Sequence, residues 1–263
     1  MHCKICNTKV DEIFKAKVLG KYQVAYYQCR ECLFVQTEEP YWLQEAYTSA
    51  ITALDIGLVQ RNLELSNIVA CIIHSCFHLK HKFIDFAGGY GLMVRLLRDK
   101  GLNFYRQDKY CENLFAGNFD VKDLTGNEKF ELLTAFEVFE HLQNPLQEID
   151  EMLSYADSIL FSTRLQPHAD IRPYNWWYIS PEIGQHIAFY HTKTLSRIAE
   201  LKGLNLYTNH QNIHLLTKKK INPFLFKIIT RTFTAKAISL LLYSKKSSLQ
   251  QKDYSFIKNK LFK

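Results

Sequence analysis

Four of the seven cysteines form two short pairs of the kind that binds zinc. Cys3 and Cys6 enclose two residues, Cys29 and Cys32 enclose two more, and residues 7–28 separate the pairs. Structural zinc takes four soft ligands in a tetrahedron, and two turns that each supply two thiolates meet that need. A module of about 40 residues buries too little surface to fold unaided, so the metal would supply much of its folding free energy. The spacing predicts a structural zinc site on these four residues; four unrelated buried cysteines are the alternative.

A glycine-rich loop is the second chemical signal. The sequence Asp85-Phe86-Ala87-Gly88-Gly89-Tyr90-Gly91 follows an apolar run and precedes an amphipathic stretch over residues 92–100. Glycines let the backbone turn sharply and approach a ligand at the carboxyl end of a strand. A dinucleotide-binding fingerprint needs a third glycine, where this chain has Val94, and no P-loop Lys-Ser/Thr pair follows.

The loop resembles the first motif of class I S-adenosylmethionine (SAM)-dependent methyltransferases, in which an acid precedes alternating glycines. Alanine stands here where the first glycine of that motif is usual, and it could narrow the pocket. The resemblance implies that the loop cradles the amino-acid part of SAM, whose ammonium group suits a nearby carboxylate. The residues implied are Asp85, Ala87, Gly88, Gly89 and Gly91.

Further cofactor contacts follow from the same resemblance. Asp108 follows the predicted strand 103–107, where an acid is expected to bind the two ribose hydroxyls; a solvated turn aspartate is the alternative. Asp120 is a weaker candidate for the adenine pocket. Phe136 and Glu137 lie in a segment similar to the fourth strand and turn of the superfamily, which implies a place beside the cofactor.

An aromatic and histidine-rich stretch over residues 172–191 is the predicted substrate side. Trp176 and Trp177 are adjacent, and Tyr174 and Tyr178 lie on either side of the Asn-Trp-Trp run. Aromatic faces stack on sugar rings or bases and exclude water, although they also fill cores. The stretch resembles methyltransferases of bacterial polysaccharide and sugar-modifying pathways, which implies a nucleotide- or lipid-linked sugar as acceptor.

Methyl transfer to a hydroxyl or an acidic C–H needs a general base that works near neutral pH. Histidine is the natural residue for that task. His186 is the first candidate, His141 the second and His191 the third. Each has the alternative of a core histidine satisfied by hydrogen bonds, and Glu140 and His141 also have that of capping the helix that begins near Pro145.

The elements that must position these residues alternate between strand and helix. Strands are predicted at 83–87, 103–107, 130–136, 158–162 and, as two closing strands, 204–217; helices are predicted at 92–100, 145–155 and 192–202. This alternation predicts an α/β fold, and the resemblance implies a doubly wound, mostly parallel, seven-stranded Rossmann-like sheet. The segments are a zinc ribbon (1–40), a helical connector (41–80), a SAM-binding methyltransferase domain (81–217) and a basic helical tail (218–263). In the connector, an apolar stripe at helical spacing is predicted on Ile56, Val59, Leu63 and Ile68.

Charge is distributed unevenly along the chain. The tail from residue 218 holds 12 Lys and Arg against one acid, for a net +11, whereas the remainder holds 21 bases and 25 acids. A helix is predicted over residues 224–243, which either lies on an anionic membrane surface or packs on the body with its charges solvated; the second is favoured. We expect a cytoplasmic protein, possible peripheral contact with the inner membrane surface, and no nucleic-acid partner.

Two rival functions remain open. A ribosomal-RNA base methyltransferase is one, because some of those enzymes also carry an N-terminal zinc module, and salt-dependent RNA binding would favour it. The other is a non-catalytic docking protein with a decayed methyltransferase domain, which the alanine at position 87 supports.

Overall fold

The structure is a computed structural model that describes residues 1–47, 55–126, 129–167, 171–242 and 248–262. Two compact units are interleaved along the chain. Unit 1 comprises Met1–Thr52, Phe136–Leu153 and Leu160–Lys220, and unit 2 comprises Ala53–Ala135, Ser154–Ile159 and Ile221–Lys263.

Ten strands and eight α-helices are assigned in the described part of the chain. The strands are β1 (Val10–Val18), β2 (Tyr22–Cys29), β3 (Val35–Thr37), β4 (Lys82–Phe86), β5 (Asn103–Gln107), β6 (Leu132–Ala135), β7 (Ser158–Ser162), β8 (Ala188–Phe189), β9 (Asn205–Thr208) and β10 (Ile213–Thr217). The helices are α1 (Leu43–Ala46), α2 (Leu58–Cys76), α3 (Leu92–Asp99), α4 (Pro145–Tyr155), α5 (Thr192–Lys202), α6 (Pro223–Ile229), α7 (Thr232–Leu242) and α8 (Gln250–Leu261).

Unit 1 contains a four-stranded sheet in the order β1-β2-β3-β8, with each neighbouring pair antiparallel. Val35 of β3 pairs with Phe189 of β8, so the cysteine-bearing N-terminal strands share a sheet with a strand from the aromatic stretch. The backbone N–H of Ile187, just before β8, donates to the carbonyl of Glu140 (2.9 Å). These pairings bring residues 140–141 and 186 into one neighbourhood.

A second, six-stranded sheet has the order β5-β4-β6-β7-β10-β9. In unit 2, β4 pairs in parallel with β5 and with β6, and all four residues of β6 are buried. In unit 1, β10 pairs with β9 in antiparallel fashion. The expectation of an α/β fold is confirmed, but the sheet is mixed and has six strands among the described residues. The closing pair turns antiparallel because only a few residues connect β9 to β10, too few for a crossover.

Helix α2 differs from its predicted apolar stripe. Ile56 and Val59 were expected on its buried face, yet they are 94% and 58% exposed. The buried side chains lie in its second half instead, including Ile68 and Ile72. The stretch is apolar enough that spacing alone did not identify which face packs.

The C-terminal tail forms three helices rather than the single predicted one. Thr230 ends α6: it is the C-cap residue, with φ −92° and ψ 0°, and its hydroxyl donates to the Phe226 carbonyl (2.8 Å). Asp253 of α8 is buried and receives hydrogen bonds from Arg98 at 2.6 and 2.9 Å and from Arg95 at 2.9 Å. The one acid of the tail therefore ties the tail to α3 within unit 2. No helix in the described residues is long and apolar enough to cross a membrane.

Candidate functional site

The four paired cysteines lie together in unit 1. Their sulfur atoms are 3.6 Å apart for Cys3 and Cys32, 3.4 Å for Cys6 and Cys29, and 3.6 Å for Cys6 and Cys32. Four sulfurs at about 2.3 Å from a tetrahedral zinc ion would be about 3.8 Å apart, so the observed spacing fits this metal closely.

The two cysteine turns share one backbone geometry. In each turn the residue after the second cysteine has a left-handed conformation: Asn7 has φ 59° and Leu33 has φ 60°. In each, that residue's N–H donates to the carbonyl of the first cysteine, Asn7 to Cys3 (2.9 Å) and Leu33 to Cys29 (3.1 Å). The matched turns aim all four thiols at one point.

The predicted cofactor loop begins at the carboxyl end of β4 in unit 2. Asp85 is buried, and its carboxylate accepts a 2.6 Å hydrogen bond from the Thr134 hydroxyl of β6. Burial raises the pKa of Asp85 to about 7; the Thr134 hydrogen bond opposes the shift, and the Asp108 carboxylate adds to it. The loop thus holds one carboxylate whose charge is costly until a cation approaches it.

Backbone geometry explains the residue types in this loop. Ala87, Gly89 and Gly91 have φ of 51°, 52° and 85°, a region in which only glycine is unstrained. Gly88 is needed for space, because a Cβ atom there would lie 2.7 Å from Asp85 Oδ2 and 2.9 Å from Arg106 Cγ. Ala87 therefore holds a strained conformation where the resemblance expects glycine.

Asp108, Arg106 and Asp120 hold the loop through a connected network. The Asp108 carboxylate accepts from the N–H groups of Gly89 (2.9 Å), Tyr110 (2.8 Å) and Cys111 (2.7 Å). The buried Arg106 donates to the Gly89 carbonyl and forms a bidentate pair with Asp120, its Nε lying 2.6 Å from Asp120 Oδ1. The roles predicted for Asp108 at the ribose and Asp120 at adenine stay predictions; the contacts observed for both side chains are internal.

Phe136 and Glu137 directly follow β6 in the chain. Glu137 has φ 54°, its carboxylate accepts from the Ser162 hydroxyl (2.6 Å), and its N–H donates to the same hydroxyl oxygen (2.8 Å). A non-glycine residue in this conformation, held by a side chain from β7, is typical of functional positions. Their predicted place beside the cofactor is untested, because the glycine loop belongs to unit 2 and these residues to unit 1.

Two of the three candidate bases meet in unit 1, next to a carboxylate. One ligand-type atom from each of Glu140, His141 and His186 lies within 4.8 Å of those of the other two. Glu140 is fully buried, and neither of its carboxylate oxygens has a hydrogen-bond partner within the part of the chain that the structure describes. It does not cap α4, so that alternative is excluded.

Both histidines present Nδ1 to a backbone carbonyl. His186 Nδ1 lies 2.6 Å from the Tyr178 carbonyl, and His141 Nδ1 lies 3.0 Å from both the Gln185 carbonyl and the Tyr47 hydroxyl. Carbonyl oxygens only accept hydrogen bonds, so neutral His186 carries its hydrogen on Nδ1 and its lone pair on Nε2. In His141 the Nδ1–H tautomer donates to the Gln185 carbonyl, whereas in the other tautomer Nδ1 accepts from the Tyr47 hydroxyl. Burial lowers the pKa of His141 to about 4, with His186 adding to the effect, and burial raises the pKa of Glu140.

His191 and the aromatic residues occupy other places in unit 1. His191 is the N-cap of α5, where its Nδ1 accepts from the Lys193 N–H (3.1 Å). It is not part of the group formed by Glu140, His141 and His186, which we call the Glu140 cluster. Trp176 is buried and packs on Phe189, with ring centroids 5.6 Å apart, whereas Trp177 is 68% exposed. Trp176 therefore fills the core, whereas Trp177 is free of the core and available to stack on a ligand.

A model of the family described as a methyltransferase domain matches residues 58–209, more than half of the 263-residue chain. The chain belongs to the methyltransferase-domain family. The match confirms the methyltransferase domain that the sequence predicts. A comparison with curated protein sequences finds no match.

Several solved methyltransferases resemble the chain weakly. CalO1, a methyltransferase in calicheamicin biosynthesis in its SAH-bound form, is 8% identical, with 62% of this chain and 54% of CalO1 covered and a TM-score of 0.45. Magnesium protoporphyrin IX methyltransferase from Synechocystis PCC 6803 with bound SAH is 13% identical over 66% of this chain and 90% of its own, with a TM-score of 0.43. The plantazolicin methyltransferase BpumL in complex with SAH is 10% identical over 69% and 95%, with a TM-score of 0.45. The chain spans about half the length of CalO1. Because all three TM-scores are below 0.5, we transfer no function from these proteins.

Sequence reasoning missed three residues of this methyltransferase that organise the candidate site. Arg106 and Thr134 lie inside strands, where a single polar residue has no motif to distinguish it. Glu140 was considered only as a capping group. A polar residue within a buried strand is the signal that could have found the first two, because such a group needs a nearby partner.

Proposed function

We propose that this methyltransferase methylates a hydroxyl or carbon of a sugar, nucleotide- or lipid-linked, with SAM as the methyl donor. The observation that carries the proposal is the loop at the carboxyl end of β4, where Asp108 binds the Gly89 N–H within the matched family region. In parallel α/β sheets, ligands bind at this edge.

The residues present fit SAM by their chemistry. Asp85 offers a buried carboxylate to the ammonium group of the amino acid, and Asp108 retains lone pairs for the ribose hydroxyls beyond its internal hydrogen bonds. Gly88 leaves no room for a side chain beside Asp85 and Arg106, so the loop backbone packs directly against these two residues. When bound, SAM supplies an electrophilic methyl group on a sulfonium; the protein must hold the acceptor in line with it.

The acceptor side rests on exposed aromatic rings and on the Glu140 cluster of unit 1. Tyr174 and Trp177 are 86% and 68% exposed, and flat aromatic faces of this kind stack on sugar rings. The cluster, with two histidine rings beside a buried carboxyl group, is where the acceptor loses its proton. Of the predicted bases, His186 and His141 are retained in this proposal; His191 is not, because its Nδ1 caps α5.

Calorimetric titration with SAM tests the cofactor part of this proposal. We expect micromolar binding to the zinc-replete protein and at least a tenfold loss in Asp108→Asn, while Asp150→Asn, an exposed aspartate of α4, binds as the wild type does. No binding to folded protein would overturn the enzyme proposal and favour a docking protein.

Transfer of a labelled methyl group tests the acceptor. We expect nucleotide sugars to be labelled and RNA not to be, with Trp177→Ala raising KM for the sugar. Labelling of RNA in preference to sugars would replace the sugar proposal with the ribosomal-RNA alternative and leave the SAM site intact.

We also propose that Cys3, Cys6, Cys29 and Cys32 hold structural zinc, supported by their sulfur spacing. Purified protein should retain zinc at this site through extensive dialysis. Cys6→Ser should lose one equivalent together with the order of β1–β3, measured by hydrogen exchange, whereas Cys76→Ser, outside the cluster, should retain it. Unchanged metal content in Cys6→Ser would contradict this assignment.

Peripheral contact with an anionic membrane is supported by the outward face of α7 in unit 2. Phe233, Lys236, Ala237, Leu240 and Leu241 are exposed at helical spacing, while Ala235 and Ser239 on the opposite face are buried. A helix that packs on one side ordinarily exposes polar residues on the other. An exposed apolar face beside Lys227, Arg231 and Lys236 complements an anionic bilayer.

Vesicle flotation tests this contact, which would place the protein at the cytoplasmic surface as the sequence predicts. Vesicles that contain phosphatidylserine should bind the wild type, and neutral vesicles should not. The double variant Phe233→Ser/Leu240→Ser should lose binding, whereas Tyr110→Ser, an exposed aromatic outside the tail, should keep it. Equal flotation of both variants would contradict the proposal.

A further inference from the structure

The carboxyl group of Glu140 lies in an environment that disfavours its charged form. Glu140 is fully buried without a hydrogen-bond partner for either oxygen among the described residues. Burial raises the pKa of Glu140 and outweighs His186 and, after it, the Tyr178 and Thr163 hydroxyls, which all act to lower that pKa. A buried carboxyl group of this kind is stable either with a proton bound or, when ionised, beside a compensating positive charge.

A metal ion could provide this positive charge, and the two histidines offer imidazole nitrogens as its ligands. His186 donates Nδ1–H to the Tyr178 carbonyl, which fixes the ring and leaves Nε2 as an unprotonated ligand atom; the Nδ1–H tautomer of His141 makes the same bond to the Gln185 carbonyl. Protein metal sites use this outer hydrogen bond to orient their histidine ligands. The three ligand-type atoms lie within 4.8 Å of one another, and ligands at about 2.1 Å from one ion would be at most about 4.2 Å apart, so a small side-chain movement closes the site.

We propose that Glu140, His141 and His186 bind a divalent metal ion, distinct from the zinc on the four cysteines. Two imidazoles and one carboxylate suit first-row divalent ions such as Mn²⁺, Fe²⁺, Co²⁺ or Zn²⁺, and they leave open coordination positions. This chemistry differs from that of the four thiolates, which select zinc and close its coordination sphere.

The metal site deepens the proposed function and rests on it for its role. Open positions on the ion would accept oxygen atoms of the acceptor, which favours acceptors with two adjacent oxygens, as in a sugar diol. A hydroxyl bound to a divalent ion loses its proton near neutral pH. Glu140, His141 and His186 would then hold the ion, and the proton of the bound hydroxyl would pass to solvent water as the oxygen forms its bond to the methyl carbon and the bond from that carbon to the sulfonium sulfur breaks.

Mn²⁺ titration followed by electron paramagnetic resonance tests the site without using activity. Manganese prefers oxygen and nitrogen ligands, so zinc-replete protein keeps its cysteine site unchanged during the titration. We expect one Mn²⁺ bound per chain in the wild type. Binding should fall at least tenfold in His186→Ala and in Glu140→Gln, and it should be unchanged in His74→Ala, which removes an exposed histidine of α2.

Thermal unfolding of every variant accompanies the titration, so that a loss of binding is read only from folded protein. Mn²⁺ should raise the Tm of the wild type and of His74→Ala but not that of Glu140→Gln. Absence of Mn²⁺ binding in the folded wild type, with Zn²⁺ in its place giving only the cysteine-bound equivalent, would overturn the metal site. The SAM titration would be unaffected by that failure, so the two proposals can fail separately.

Discussion

The glycine loop of unit 2 and the Glu140 cluster of unit 1 are both candidate functional regions, but they differ in whether their buried polar side chains have hydrogen-bond partners. In the loop, the Arg106 guanidinium is paired with Asp120, and Asp108 accepts three backbone N–H groups. In the cluster, Glu140 has no hydrogen-bond partner among the described residues. One network is complete before any ligand arrives, and the other is not.

This difference in hydrogen bonding suits the two regions to different kinds of ligand. A satisfied network holds a backbone cradle rigidly, which suits a cofactor that must bind in one orientation. An unsatisfied buried carboxylate stores a cost that a cation can relieve on binding. Removing a charge should therefore destabilise the loop and stabilise the metal-free cluster, and the following variants test that contrast.

The largest effect is expected from breaking the Arg106 pair. Asp120→Ala leaves a buried guanidinium without its carboxylate, which should lower the free energy of unfolding by about 3 kcal/mol in urea denaturation. Asp157→Ala removes one member of the exposed Lys129 pair and should cost less than about 1 kcal/mol. Similar losses in both variants would contradict the view that the loop network is structural.

Asp85 is the residue of the loop that resembles Glu140, because burial also makes its charged form unfavourable. Its pKa is raised to about 7 from 3.8, so the folded protein holds a proton that the unfolded chain has released between these values. The stability that this proton contributes is fully present below pH 3.8 and is lost as the pH rises through 7. Asp85→Asn should therefore gain stability relative to the wild type as the pH rises from about 4 to 7, by at most about 1.4 kcal/mol per pH unit, with no further gain above pH 7.

SAM binding gives Asp85 a second readout. A bound ammonium group favours the ionised carboxylate, so affinity for SAM should fall as the pH drops below about 7 in the wild type. Calorimetry at several pH values measures this dependence, and Asp85→Asn should bind weakly at every pH. A variant that kept the wild-type profile would show that another group titrates.

Glu140→Gln should change the free energy of unfolding in the opposite direction to Asp120→Ala. Removing the uncompensated buried carboxylate should raise the free energy of unfolding of protein free of Mn²⁺ by about 1 kcal/mol, measured at pH 8 in urea. Glu148→Gln, on the neighbouring helix α4, serves as the control for the substitution itself. Destabilisation of Glu140→Gln by more than the control would mean that Glu140 is already compensated within the protein.

The smallest effect concerns the strained alanine of the loop. Ala87→Gly relieves a φ of 51°, worth about 1–2 kcal/mol, against the added entropy of glycine in the unfolded chain, about 0.5–1 kcal/mol. We expect a net gain of about 0.5 kcal/mol, with SAM affinity unchanged or improved. Gly89→Ala, the reciprocal change at φ 52°, should lose stability although the space for its Cβ is open.

Several features were predictable because they depend on local pattern. Strands β5 and β7 and helices α4 and α5 begin and end where the sequence places them. The tail helix was predicted less well, because the break at Thr230 depends on one residue whose hydroxyl bonds within the preceding turn. The buried side of α2 was also missed, since an apolar stretch offers more than one face for packing.

The sequence by itself determined the cysteine turns, the glycine loop and the methyltransferase family, because each depends on residues a few positions apart. Only the tertiary structure decided that Glu140 and His141 lie with His186, since the pairing of β8 with β3 and of Ile187 with Glu140 brings together segments far apart in the chain. It also decided that Asp253 is a buried ion-pair partner and that His191 caps a helix. Spacing along a chain encodes local turns, whereas the burial and pairing of a charge depend on which distant segments pack around it.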